Sequence, residues 1–298
     1  MTVKAPNLTD LRERMDAVIS NPLVKSFAAG SFSGTCSTVI FQPLDLVKTR
    51  IQSPGSGKTS GAQGLLSVIA QVVRKERFIG LWKGMTPSIT RTIPGVGIYF
   101  CSLHWLKTNI GPVDTHSPLQ TIGIGAGARC VSGIAMLPFT VIKTRFESNY
   151  FQYRGIIHAL RDIYAKEGIA GLYSGFSATL LRDAPFSGLY LVFYTQGKKL
   201  VPHEAMDSNY VPLIHFGCGV SAGVLASVVT QPADVIKTNM QLFPRRFDTV
   251  FNAIGFVYKT YGLDGFLRGL LPRTLRRTLM AAMAWTFYES AMKRMGLS

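Results

Sequence analysis

The residues able to do chemistry in this chain are charged, and they recur. Arg91-Thr92, Arg182-Asp183 and Arg276-Arg277 each follow a glycine (Gly84, Gly175, Gly269) at the same interval of seven residues. A guanidinium offers a planar fork of donors to a carboxylate, and an aspartate accepts from an ammonium group. An adjacent Arg182-Asp183 pair therefore suits a small zwitterion. The same two charges can also neutralise each other, as buried charges commonly do. A second set stands behind prolines: Asp45 and Lys48 behind Pro43, Asp234 and Lys237 behind Pro232, Thr140 and Lys143 behind Pro138. Acid and base three residues apart lie one helical turn apart, where a local pair contributes about 0.2–0.5 kcal/mol. Recurrence beside a helix-bending proline argues for a shared role instead. No nucleophile–base set and no metal-ligand cluster accompanies these charges, so no catalytic residues, metal or enzyme activity are expected.

These residues are positioned by a repeat. FQPLDLVKTRIQ from Phe41, LPFTVIKTRFES from Leu137 and TQPADVIKTNMQ from Thr230 line up at intervals of about 95 residues. Behind them come ERFIGLWKG, EGIAGLYSG and YGLDGFLRG, ending on Gly84, Gly175 and Gly269, and then the arginines. Three ordered echoes at one spacing make a single domain, 1–298, of three units: about 21–112, 116–203 and 210–296. Each unit reads as a long helix, a connection with a short helix, and a second long helix. The first long helices start near Leu23, Leu119 and Pro212 and should kink at Pro43, Pro138 and Pro232. The second run to about Asn109, Leu200 and Met295. Gly30/Gly34 and Gly219/Gly223 stand four apart. Small residues at that spacing let helices approach closely in lipid, whereas in a soluble helix each glycine costs about 1 kcal/mol.

Composition narrows the class. Of 298 residues, 47% are hydrophobic and only 16% charged, with Lys+Arg 32 against Asp+Glu 16 and a net charge of +16. Typical soluble domains are roughly 25% charged, so a solvated disordered chain is excluded. Mean hydropathy is only +0.21, and no stretch of about 18 residues is fully apolar, as a simple membrane span requires. Cys36, Cys101, Cys130 and Cys218 lack metal or CxxC spacing and read as small core residues in a reducing setting. The first 22 residues contain Asp10, Glu13 and Asp16 and no apolar core, which argues against a cleavable leader. Ser53-Pro54-Gly55-Ser56-Gly57-Lys58 lacks the spacing of a phosphate-binding loop and reads as a flexible linker. The basic residues follow the helix repeat rather than one contiguous patch, so nucleic-acid binding is not expected.

The pattern Pro-x-acid-x-x-base, then acid-Gly, then aromatic-base-Gly resembles the mitochondrial carrier family over the whole chain. The resemblance implies an all-α membrane protein of the mitochondrial inner membrane. Its six transmembrane helices would surround a central cavity with pseudo-threefold symmetry. Three short helices would lie on the matrix side and both termini on the cytosolic side. Helices around a watery cavity need only one lipid-facing side, which accounts for the weak hydropathy.

The resemblance also assigns roles. The acid of one unit would pair with the base of the next to close a matrix gate: Asp45 with Lys143, and Asp234 with Lys48. Thr140 breaks the third pair, opposite Lys237. Bracing glutamines fall at Gln52 and Gln241, with Glu147 in the middle unit. A cytosolic gate would involve Leu103-His104-x-x-Lys107, Tyr194-Thr195-x-x-Lys198 and Tyr288-Glu289-x-x-Met292, where Glu289 alone keeps an acid. Arg91, Thr92, Arg182, Asp183 and Arg276 take the substrate-binding positions near the bilayer midplane, where three arginines are costly unless they face water or ligand. Arg129 replaces a small residue of helix three and either enters the cavity or finds a partner. LWKG, LYSG and FLRG imply bound cardiolipin at basic interfacial helix starts, against simple capping and aromatic packing. The segments GTCSTVIFQPLDLVKTR, GLWKGMTPSITRTIPGVGIYF, ATLLRDAPFSGLYL, VTQPADVIKT and RRTLMAAMAWT resemble the family's amino-acid carriers. They imply glycine, imported by a monomer for haem biosynthesis. Another small amino acid or carboxylate, and a non-transporting membrane adaptor, are the alternatives.

Overall fold

The structure is a computed structural model that describes residues 22–54, 61–110, 118–202, 211–247 and 249–294. Among these are eleven α-helices, two short 3-10 helices and no strand. Residues 1–21 and most of Ser53–Lys58 lie outside the described residues.

Each repeat supplies long, short and long helical segments in that order. In the first these are Pro22–Gln52, Gly61–Glu76 and Met85–Ile110. Pro43 sits inside an unbroken helix there. The other two repeats differ. Pro118–Ala135 is followed across a 60° bend by Leu137–Ser148, and Val211–Val229 across a 57° bend by Gln231–Leu242. Pro138 and Pro232 are thus the second residues of new helices. A proline is tolerated in a first turn because that N–H has no intrahelical acceptor. The remaining helices are Ile156–Leu172 and Phe176–Lys199, then Val250–Tyr261 and Leu270–Arg294. Thr249 caps one of them by accepting from the Asn252 N–H at 3.3 Å.

No single described helix is both long and apolar enough to cross a membrane, but the two bent pairs are. The apolar residues that face outward, among them Phe32, Ile40, Val131, Leu181, Val192, Leu225 and Val229, lie on the long helices. Spaced along these helices, they provide a lipid-compatible surface without an apolar run. The cysteines correct one expectation: none is a core residue, Cys101 and Cys130 being exposed and Cys36 and Cys218 half-buried. Small residues on these helices serve the outward face as well as the packed one.

The chain divides into two compact units. The first runs up to Thr38 and includes Ser88–Leu137. Its helices touch at glycines: a Cβ on Gly34 would lie 2.7 Å from Thr92 Cγ2, and one on Gly30 3.0 Å from Val96 Cγ1. Ser132 Oγ closes the Met136 side by donating to Gly95 O at 2.7 Å. Gly34→Leu is expected to lower stability by about 1–3 kcal/mol through overpacking and to displace Thr92. A variant that melts at the wild-type temperature would contradict that close approach.

The second unit comprises Val39–Pro87 and Pro138–Ser298. Three small cores recur in it: Leu46 with Val72 and Leu81; Val141 and Ile142 with Ala159, Ile163 and Leu172; Ile236 and Met240 with Ala178, Phe247 and Ala253. Each packs the segment after the proline onto the short helix of its own repeat. Arg50–Glu76 at 2.7 Å and Arg145–Glu167 at 2.5 Å tie the same elements together. In the third repeat, where Tyr261 replaces the acid, Arg268 lies 4.1 Å over the tyrosine ring instead.

Candidate functional site

The second unit brings the proline-linked charges together. Lys143 Nζ lies 2.7 Å from Asp45 Oδ2, and Lys48 Nζ lies 2.7 Å from Asp234 Oδ2. Each pair joins one repeat to another, and neither acid pairs with the lysine one turn along its own helix. The cross-repeat pairs gain additional donors in a buried setting, which a surface-type local pair does not. Gln52 Nε2 donates to Asp234 Oδ2 at 3.0 Å and to Arg268 O at 3.1 Å, while its Oε1 accepts from Thr238 at 2.7 Å. Glu147 holds the corresponding place in the middle repeat. It accepts from Gln42 at 2.9 Å and Thr49 at 2.7 Å and lies 3.5 Å from Lys143. Gln241 holds the third place, and its Oε1 accepts from Thr144 at 2.8 Å.

Each of these three brace residues rests on a glycine of another repeat. A Cβ on Gly84 would lie 2.9 Å from Glu147 Cγ, one on Gly175 3.0 Å from Gln241 Cγ, and one on Gly269 3.0 Å from Gln52 Cγ. All three glycines also have φ between 73° and 87°, a region that side-chain-bearing residues rarely adopt. The aromatic-base-Gly motif therefore does more than start a helix. It supplies the floor on which the brace lies.

The arginines expected to bind substrate are not held clear of the cross-repeat ion pairs. Arg182 donates from Nε to Asp183 Oδ1 at 2.7 Å and from Nη1 to Asp234 Oδ1 at 3.1 Å. It thus links the zwitterion-type pair to a gate acid. Arg276 Nε lies 3.0 Å from Asp45 Oδ1, a charge contact not aligned as a hydrogen bond. Asp183 keeps half of its side chain exposed. Arg91 and Thr92 belong to the first unit, where Thr92 donates to Ser88 O at 2.8 Å. Arg129 is exposed and stands over the Tyr99 ring at 5.7 Å, with no ion pair among the described residues. Of the cytosolic positions, Lys198 lies 5.6 Å over Tyr194 and Thr195 donates to Leu191 O; the Glu289 side chain lies outside the described residues.

Several participants were not singled out from the sequence. The threonines after the gate lysines, Thr49, Thr144 and Thr238, all serve the braces. Their recurrence in VKT, IKT and IKT is visible in the repeat. Arg273 donates to Gln231 Oε1 at 3.0 Å and Thr230 Oγ1 at 2.8 Å, fastening the break before Gln231–Leu242. Arg277 stacks 3.8 Å over Phe186. Ser88 and Thr179 stand where Arg273 does in the other repeats, so no echo points to it.

Two acid–base pairs, each spanning two repeats, with three braces of amide or carboxyl, agree with a family whose sequence model, mitochondrial carrier protein, matches residues 20–112, 114–205 and 208–297. The chain belongs to the mitochondrial carrier family. As a mitochondrial carrier it has the all-helical, three-repeat fold and is a multi-pass protein of the inner membrane. Among its relatives, the human mitochondrial glycine transporter is 53% identical over 97% of this chain and 95% of its own length. Mitochondrial glycine transporter B of Danio rerio is 54% identical over 95% and 99%. The mitochondrial glycine transporter of Ovis aries is 52% identical over 97% and 95%.

Proposed function

We propose that this carrier imports glycine into the mitochondrial matrix by alternating access, supplying haem biosynthesis, and that residues 1–298 act as one domain and one monomer. The observation that carries the reading is the identity of more than half of nearly the whole chain with mitochondrial glycine transporters. The charge geometry supports it. Asp45–Lys143 and Asp234–Lys48 hold the matrix gate shut. Arg182 is shared between Asp183 and Asp234, and Arg276 contacts Asp45. A zwitterion arriving beside Arg182, Asp183 and Arg276 offers the arginines a carboxylate that competes with the gate acids. Ligand contacts stronger in one state than the other shift the balance toward it, so binding loosens the gate that must next open. Cardiolipin at the basic helix starts after LWKG, LYSG and FLRG is part of the same reading, supported by their interfacial lysine and arginine.

Uptake of labelled glycine into proteoliposomes tests the proposal, with Arg182→Ala and Asp183→Ala beside wild type. Wild type is expected to accumulate glycine, and both variants to lose at least about tenfold in kcat/KM, the loss of one charge-assisted contact. Wild-type protein that takes up no glycine would remove the substrate. Equal uptake by all three would remove the binding site.

A further inference from the structure

In this cluster one buried donor, Gln241 Nε2, has no acceptor, and Lys237 of the same helix makes no ion pair among the described residues. Lys237 is 6% exposed and makes no ion pair or hydrogen bond among the described residues. Gln241 is 1% exposed, and its Nε2 has no partner although its Oε1 is held by Thr144. Buried polar groups are nearly always satisfied, so each such donor calls for an explanation.

The repeat supplies it. In the intact counterpart, Asp234 Oδ2 receives both Lys48 Nζ and Gln52 Nε2, while Gln52 Oε1 accepts from Thr238. Lys237 corresponds to Lys48, Gln241 to Gln52 and Thr144 to Thr238. The position of Asp234 falls to Thr140, which has no carboxylate to give. The amide is fixed in the orientation that suits an acid, because Thr144 takes its oxygen and Gly175 lies against its Cγ. What remains is a carboxylate site with its donors in place and its carboxylate missing. The Lys237 neighbours Arg182 and Lys48 each make an ion pair with an aspartate, and Lys237 makes none among the described residues.

We infer that Lys237 and Gln241 form a seat for the carboxylate of the transported amino acid, within the matrix gate itself. The half-exposed Asp183 is the acid in reach of that zwitterion's ammonium group. The seat rests on the reading of this chain as an amino-acid carrier. It adds to the binding positions a residue pair on the kinked helices. It also gives the loss of the acid at position 140 a purpose: a carboxylate that belongs to the substrate, and not to the second repeat, satisfies these donors without latching the two repeats together.

The test uses full-length protein, with uptake into proteoliposomes and ligand-dependent melting in detergent as paired readouts. Ligand that binds only the folded state raises the melting temperature. The probes are glycine; glycinamide, which keeps the ammonium and replaces the carboxylate by a neutral amide; and acetate. In wild type, glycine is expected to stabilise and glycinamide not to. Lys237→Gln should raise the KM for glycine and its half-stabilising concentration by about tenfold or more, and Lys237→Arg should restore both to within a few-fold. Thr140→Asp, which fills the seat from within, should lose the glycine response while remaining folded, and it keeps the test alive if Lys237→Gln does not fold. An unchanged glycine response in Lys237→Gln or Thr140→Asp, with wild type transporting glycine, overturns the seat and leaves the transport reading standing. Acetate that stabilises as well as glycine overturns the assignment to the substrate. If wild type neither takes up nor responds to glycine, the substrate reading fails, and alanine and serine replace glycine in the same comparison. A response lost in Lys237→Gln then supports the seat, an equal response overturns it, and silence toward every amino acid overturns both.

Discussion

Thr140→Asp is expected to make the protein harder to unfold and slower to transport. The substitution restores the one acid that the threefold pattern lacks, opposite Lys237 and the unpartnered Nε2 of Gln241. A buried donor left unsatisfied costs roughly 1–3 kcal/mol, and here one carboxylate satisfies the Gln241 amide and gives Lys237 a counterion. The counterpart shows that the geometry is available, since Asp234 receives Lys48 at 2.7 Å and Gln52 at 3.0 Å. Allowing for desolvation of the new charge, a gain of about 2 kcal/mol is expected, worth several degrees in melting temperature. The same gain deepens the closed state, so the opening step slows: about 1.4 kcal/mol of extra barrier is a tenfold loss of rate. Thermal unfolding and initial uptake rates measured together decide the matter. A variant unchanged in both would contradict the gate.

Asp234→Asn is expected to be the most damaging single change in the cluster. Asp234 is 1% exposed and is the meeting point of Lys48, Gln52 and Arg182, at 2.7, 3.0 and 3.1 Å. The amide keeps the shape and removes the charge. Lys48 and Arg182 then lose a shared counterion beside Lys237, which has none. Removing one partner of a buried pair typically costs about 3–5 kcal/mol because the other charge is stranded; here Lys48 is stranded, while Arg182 keeps Asp183. The expectation is a large drop in melting temperature and no measurable uptake. Asp45→Asn should be milder, since Lys143 retains Glu147 at 3.5 Å. Equal melting temperatures for Asp234→Asn and wild type would show that the pair holds nothing together.

The order of helices, the gate positions and their braces are legible in the sequence because threefold repetition converts a short motif into three aligned observations. What repetition cannot convey is how the three copies differ. Pro43, Pro138 and Pro232 occupy equivalent places, yet the first stays inside one helix and the others follow a sharp bend. In the third repeat the break is also held by Arg273, a residue without an echo, through Thr230 and Gln231. The arginines at the binding positions were readable as carboxylate-binding groups, but not their reach to Asp234 and Asp45. Side-chain length lets an arginine span from one functional layer to the next, and spacing along a chain does not report reach across it. Nor does a motif reveal an orphan donor. The absence at Thr140 was visible; that Lys237 and Gln241 are both left waiting became visible only with the partners of Gln52 in place.

The three glycines beneath the braces have a consequence for how the gate fails or opens. Gly84 of the first repeat supports Glu147 of the second, Gly175 of the second supports Gln241 of the third, and Gly269 of the third supports Gln52 of the first. The chain of supports returns to where it began. A closed loop of this kind has no terminal member from which fraying can start. Each repeat carries both a brace and a glycine that supports another repeat's brace, so a disturbance at one brace bears on all three repeats rather than stopping at one boundary. A methyl group on any one of these glycines would act on the whole loop, as one tight link stiffens a bracelet.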